Sequence, residues 1–369
     1  MTDVPKTYFH LLSALRGIAA ITVVMRHNLA LFLPAQLLVS YSAVDLFYVM
    51  SGVVIESTYR QRLLAGMTLP QFTWIRMVRI YPFYILGSII TLVTLLLVPG
   101  QELFNGTMPW EIKNRLLLWM MAMVMMPTPV GIAEFPYDHP CWSLFFELAV
   151  NFFYAASITK LTMRRLVRIV ALCGVGLLAS LALFHSQHFI EMGWHRSTFF
   201  SGFFRAGLSF FMGVLLYRLY LRFPIDFIRR HSGAVSAAVL AAVTLLLVEP
   251  VSPGGELWHY ILCVFVLFPL LIYTALCVRP GKLTRYVGDF FGDVSYPMYT
   301  LHAPLYFLLS SLTIGGLAQP ILAFAPWSGV CFLGALICIA YLANKIYDRP
   351  LRKSLRGVWR VSGKIAYQT

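Results

Sequence analysis

Arg16 and His27 flank ten residues of the first apolar run, Leu11-Leu12-Ser13-Ala14-Leu15-Arg16-Gly17-Ile18-Ala19-Ala20-Ile21-Thr22-Val23-Val24-Met25-Arg26-His27. Eleven helical steps turn through about 1100°, roughly 20° past three full turns, so the two side chains share one face of a helix. Their separation along the axis is roughly 16 Å, about half the hydrocarbon thickness of a bilayer. Ionisable groups inside such a run are costly and face a polar cavity or a partner, which makes them functional candidates. The alternative reading is structural: a snorkelling arginine near one interface and a histidine held by an interhelical hydrogen bond.

Four further stretches place polar groups where apolar runs should have none. Asp45 sits in Ala43-Val44-Asp45-Leu46-Phe47-Tyr48-Val49-Met50-Ser51-Gly52, where it calls either for a buried arginine partner or for a catalytic role. Arg76-Met77-Val78-Arg79-Ile80-Tyr81-Pro82 puts two arginines on one helical face. They serve either as a topological charge signal or as a clamp, since guanidinium groups chelate phosphate oxygens. Cys141-Trp142-Ser143-Leu144-Phe145-Phe146-Glu147 carries an acid that would pair with an arginine or orient an imidazole. Ser295-Tyr296-Pro297-Met298-Tyr299-Thr300-Leu301-His302 supplies hydroxyls and a second histidine, catalytic or structural.

The elements that must hold these groups follow from composition. Of 369 residues, 59% are hydrophobic and only 12% charged, well below the quarter typical of soluble domains. The chain therefore reads as an all-α, polytopic transmembrane bundle. Apolar runs predict ten spans near 8–31, 37–58, 81–98, 142–159, 167–184, 199–217, 233–248, 258–278, 294–314 and 328–347. The first is read as a retained span, because only Lys6 precedes it and no small-residue cleavage site follows. A shorter run at 116–126 decides the topology. If it crossed, every later basic cluster would lie outside. If it dips and returns, Lys160, Arg164, Arg165 and Arg168 fall inside, as do the clusters at 218–230, 279–285 and 349–364. The positive-inside rule selects the second case, with both termini cytoplasmic and a re-entrant or interfacial segment between Trp110 and Pro140. Loops left outside, such as 249–256, carry no Lys or Arg or very few. Glu147 and His27 would then sit at similar depth, as an imidazole–carboxylate relay requires.

The net charge of +14 is distributed as this cytoplasmic pattern, which excludes nucleic acid as a partner. Residues 1–348 are read as one membrane domain, and 349–369 as a basic tail lying on the inner membrane surface. The six cysteines form no CxxC pair, and no metal site is expected; Cys331 and Cys338, a heptad apart, are assigned to helix packing.

Taken together, the stretches resemble the acyltransferase-3 family of bacterial integral-membrane O-acyltransferases, from about Leu12 to Arg349. The resemblance rests on five elements in the family's order: Arg16 and His27 flanking ten residues, D-L-F-[FY]-V-x-S-G at Asp45 to Gly52, R-x-x-R-I-x-P at Arg76 to Pro82, W-S-L-x-x-E at Trp142 to Glu147, and S-Y-x-x-Y-x-x-H at Ser295 to His302. It implies transfer of an acyl group, commonly acetyl, from cytoplasmic acyl-CoA (acetyl-CoA) to a hydroxyl of an extracytoplasmic or lipid-linked surface glycan, such as lipopolysaccharide O-antigen. The setting would be the bacterial inner membrane. His27, Arg16 and Glu147 become catalytic candidates, with His27 a general base or a nucleophile carrying a transient acyl group. Arg76 and Arg79 become ligands of the CoA phosphates. Asp45, Ser51, Trp142, Ser143, Tyr296 and His302 become supporting groups. Some members append a periplasmic esterase domain; this chain is expected to act alone or with a separate periplasmic partner. The competing reading is a transporter or flippase of a glycan or lipid-linked substrate, which would show related halves or paired broken helices.

Overall fold

The computed structural model describes residues 9–34, 40–98, 112–128, 134–184, 190–249, 251, 254–312 and 318–361. Lys6, Trp110, Pro250, Ser252, Pro253 and Lys364 lie outside these residues, as do the side chains of Arg356, Val358, Trp359 and Arg360. The described residues are mostly helical and contain no β-strand. In chain order the principal helices are α1 (His10–His27), α2 (Ala43–Leu64), α3 (Leu69–Leu97), α4 (Ile112–Met123), α5 (Trp142–Ser157), α6 (Met163–Phe184), α7 (Ser201–Arg222), α8 (Ser232–Val248), α9 (Glu256–Cys277), α10 (Lys282–Leu312), α11 (Trp327–Ala343) and α12 (Arg349–Val361).

Among the described residues, six helices are long and apolar enough to cross a membrane: α3, Tyr137–Lys160, α6, α7, α9 and Trp327–Leu355. This is a multi-pass membrane protein. Helices α1, α2 and α10 have the length, 18, 22 and 31 residues, but lie outside that apolar set. Polar groups break their hydropathy, and these are the helices that carry Arg16, His27, Asp45, Ser51, Tyr296 and His302.

Helix α3 begins twelve residues before the apolar run at 81–98, because Thr68 and Gln71 form a reciprocal capping box with Pro70 in the first turn. Arg76 and Arg79 therefore project from inside this helix. Likewise α10 starts at Lys282 and carries Pro297 and Pro304 within it.

Relative directions follow from paired positions. His10 meets Asp289 at 3.0 Å and His27 meets His302 at 3.3 Å, so α1 and α10 run parallel. A Cβ at Gly288 would stand 2.2 Å from the His10 carbonyl, so glycine lets these helices touch backbone to backbone. Helices α2 and α7 are also parallel: Asp45 pairs with Arg205 and Glu56 with Arg218. Between them, Cβ atoms at Gly52 or Gly213 would each stand 2.0 Å from a facing carbonyl.

Helices α3 and α5 run in opposite directions. Arg76 meets Glu147 at one end, and Gly87 faces Asp138, just before α5, at the other. The connection containing α4 consequently leaves and rejoins the bundle at the same end.

The basic connections gather at the opposite end. Arg218 donates to the Leu161 carbonyl at 2.6 Å, the Arg279 amide donates to Ser232 Oγ at 2.9 Å, and Arg349 meets Asp293 at 2.5 Å. The last contact ties the start of α12 to α10, so this part of the basic tail is docked on the bundle. Cys331 and Cys338 are exposed on α11 rather than packed between helices, which corrects the packing assignment.

Candidate active site

At the basic end, α1, α2, α3, α5 and α10 enclose a cavity of about 170 Å³. Its polar lining is Arg16, Ser51, Arg76, Arg79, Glu147 and Tyr296, joined by Tyr48, Ser143, Ser295 and Tyr299. Most of the residues singled out in the sequence thus share one chamber, although they come from five helices.

The chamber is internally braced. Arg76 Nη2 donates to Glu147 Oε1 at 2.7 Å, and Ser51 Oγ donates to the same oxygen at 2.8 Å. Arg79 lies over the Tyr296 ring, 5.6 Å from its centroid, while the Tyr296 hydroxyl donates to the Ile80 carbonyl at 2.5 Å. Three guanidinium groups against one carboxylate leave the lining net positive, so it suits an anionic ligand.

One turn further along α10, Tyr299 forms the floor. Its hydroxyl stands 2.6 Å from Ser143 Oγ and donates to the Pro140 carbonyl at 2.5 Å. Beyond that floor lies a histidine pair. His302 Nε2 is 3.3 Å from His27 Nδ1, and the rings are 5.0 Å apart. His302 is fully buried and His27 half-buried. Tyr299 lies between the chamber and the histidine pair, since it lines the chamber and its ring lies 6.1 Å from that of His302.

Glu147 does not meet His27, contrary to the expected relay. The carboxylate sits five residues into α5, about 7.5 Å along the axis toward the arginine end. There Arg76 and Ser51 occupy it. His27 is at the other end of the chamber's axis, and its side-chain partner is His302.

Residues around the pair close that end. The His139 ring meets Trp194 edge to face at 5.1 Å, and Arg26 pairs with Glu191 while lying 5.2 Å from the Tyr41 centroid. Glu134 faces Arg196 at 3.5 Å; burial raises its carboxyl above the ordinary value, and Arg196 opposes that shift.

Asp45 lies outside the chamber. It is 0% exposed and paired at 2.7 Å with Arg205, itself 1% exposed. Ser209 and Tyr260 also donate to Asp45, and Arg205 spends its other donors on the carbonyls of Met192 and Tyr41. Trp142 packs beside this pair, its ring 5.5 Å from the Arg205 guanidinium.

Arg205 was missed from the sequence, although an arginine inside Phe203-Phe204-Arg205-Ala206-Gly207 carries the same signal as Arg16. Glu56 was missed too: it is buried and held by Arg218 at 2.6 Å, Arg60 at 3.2 Å and the Tyr154 hydroxyl at 2.5 Å. No group of three His, Cys, Asp or Glu among the described residues is arranged to hold a metal ion.

Comparison with known proteins bears on this arrangement. A family profile described as an acyltransferase domain matches residues 9–344. The chain is also 34% identical over 198 residues to "Protein 2 in picA locus" of Rhizobium radiobacter, an alignment covering 50% of this chain and 100% of that relative. No solved structure matches the chain.

Proposed function

The chain belongs to the acyltransferase-3 family, matched over residues 9–344, and from that premise we propose that it moves an acetyl group from cytoplasmic acyl-CoA to a hydroxyl of an extracytoplasmic or lipid-linked surface glycan. It is an acyltransferase, and what is proposed is the donor, the acceptor and the residues that act. The observation that carries the reading is the arginine-lined chamber opening at the basic end, with a histidine pair beyond its floor.

Arg76 and Arg79 hold the CoA phosphates, Glu147 orients Arg76, and Arg16 faces the same anionic donor. The pantetheine arm runs along α1 past Tyr299, covering the roughly 16 Å between Arg16 and His27. At the far end His27 acts as general base. It takes the proton of the acceptor hydroxyl as that oxygen attacks the thioester carbonyl carbon. The C–S bond then breaks, and the proton passes to the departing CoA sulfur. Asp45, Trp142, Ser143, Tyr296 and Ser51 hold the helices and the chamber wall in register.

The topology proposed with this chemistry has ten spans in the bacterial inner membrane and both termini in the cytoplasm. Residues 1–348 form the membrane domain, residues 349–369 are a basic tail on the inner surface, and the segment between Trp110 and Pro140 is re-entrant. The opposed courses of α3 and α5 and the gathering of basic connections at one end support it. Cysteines engineered at 160–168 are expected to react with an impermeant reagent only from the cytoplasmic side; labelling from outside would make the 116–126 run a true span.

The function itself is tested by mass analysis of cell-surface glycans. Cells carrying the protein should show glycans heavier by one acyl group, and His27→Ala should abolish that increment while the protein is still made and folded. An unchanged increment would remove His27 from the mechanism.

A further inference from the structure

A base must keep a lone pair on the nitrogen facing its substrate, and an imidazole can place its single proton on either nitrogen. The surroundings of His27 decide between them. His302 Nδ1 lies 2.8 Å from the Tyr299 carbonyl and 3.3 Å from the Met298 carbonyl. Both are acceptors only, so this nitrogen carries the proton and the neutral ring leaves its lone pair on Nε2. That lone pair points at His27 Nδ1, 3.3 Å away. His27 Nδ1 also lies 2.9 Å from the Val23 carbonyl. Two acceptors therefore converge on His27 Nδ1, which must be the protonated nitrogen and share its N–H between them. His27 Nε2 is left bare, and among the described residues it makes no hydrogen bond to the protein.

We infer that His302 is a positioning residue for His27: through its Nε2 it fixes the neutral His27 tautomer with Nε2 unprotonated, and it supports the imidazolium formed when Nε2 takes the acceptor's proton. The proton order runs one way, from His27 Nδ1–H toward His302 Nε2 and from His302 Nδ1–H toward the Tyr299 carbonyl. A proton added to His302 Nε2 would face the His27 N–H head-on, so His302 works as a neutral acceptor in the place a carboxylate relay would occupy. Complete burial of His302 keeps water from competing for that role.

This rests on His27 being the base, and the test separates the two claims. In purified protein in lipid nanodiscs, the nitrogen spectrum of ¹⁵N-histidine-labelled enzyme should show His27, assigned by its loss in His27→Gln, protonated at Nδ1 and bare at Nε2. His302→Leu, which fills the volume without an acceptor, should erase that preference. It should also lower kcat roughly 100-fold, the lower range of general-base catalysis, with KM for acyl-CoA unchanged. His302→Gln, with an amide oxygen near the former Nε2, should recover most of the rate.

A wild-type His27 carrying its proton on Nε2 would overturn the inference. So would His302→Leu at wild-type rate, or His302→Gln no better than His302→Leu at equal melting temperature. Full activity in His27→Ala would sink the base assignment alone, leaving the tautomer readout to judge His302.

Discussion

Of the arginine–carboxylate pairs that cross between helices, two are built to opposite ends. Asp45–Arg205 is sealed, and its hydrogen-bonding groups are spent on Ser209, Tyr260 and the carbonyls of Tyr41 and Met192. Arg76–Glu147 is the same chemistry set on the wall of a chamber, where Ser51 also donates to the carboxylate and space lies beside it. A buried pair with its donors and acceptors satisfied holds helices in place. An equivalent pair facing a cavity keeps charge available to a ligand while the carboxylate fixes the guanidinium. Residue type does not separate structure from recognition here; enclosure does.

The largest effect should come from breaking the sealed pair. Arg205→Ala strands Asp45 in the core and is expected to cost about 3–5 kcal/mol. It would be read as a large fall in melting temperature and in detergent-solubilised yield. A variant that melted like wild type would erase the distinction between the pairs. Next in size, Arg76→Ala with Arg79→Ala should weaken acyl-CoA binding at least tenfold, or about 1.4 kcal/mol, by calorimetry, with little change in melting. Unchanged affinity would return both arginines to a topological role. The smallest effect belongs to Glu147→Gln. It keeps the geometry but replaces an ion pair by a weaker hydrogen bond from the guanidinium to a neutral amide oxygen. A few-fold loss of acyl-CoA affinity at unaltered stability is expected, and a collapse in stability would make this pair a second structural lock.

The sequence carried much of this. Helical segments were legible from hydropathy, and the groups lining the chamber were legible as polar residues in apolar runs. The early start of α3 was less visible, because a capping box lengthens a helix without adding apolar residues. The relay assigned to Glu147 failed for a geometric reason. Depth inferred from topology placed it beside His27, yet it sits about one helical turn beyond Ser143 of the floor, and Arg76 lies within reach. Arg205 was not legible as the partner of Asp45, because the two lie 160 positions apart and only folding brings them together.

What the sequence determined by itself was local: helical runs, the shared face of Arg16 and His27, and the chemical types available in each helix. These depend on 3.6-residue periodicity and on the cost of burying charge, both properties of a single segment. Tertiary structure decided the partners. Asp45 took Arg205, Glu147 took Arg76, and His27 took His302 across 275 positions. An ion pair or a tautomer depends on angstrom-scale distance and on the exclusion of water, and both arise only when glycine contacts such as Gly288 on the His10 carbonyl bring the helices together.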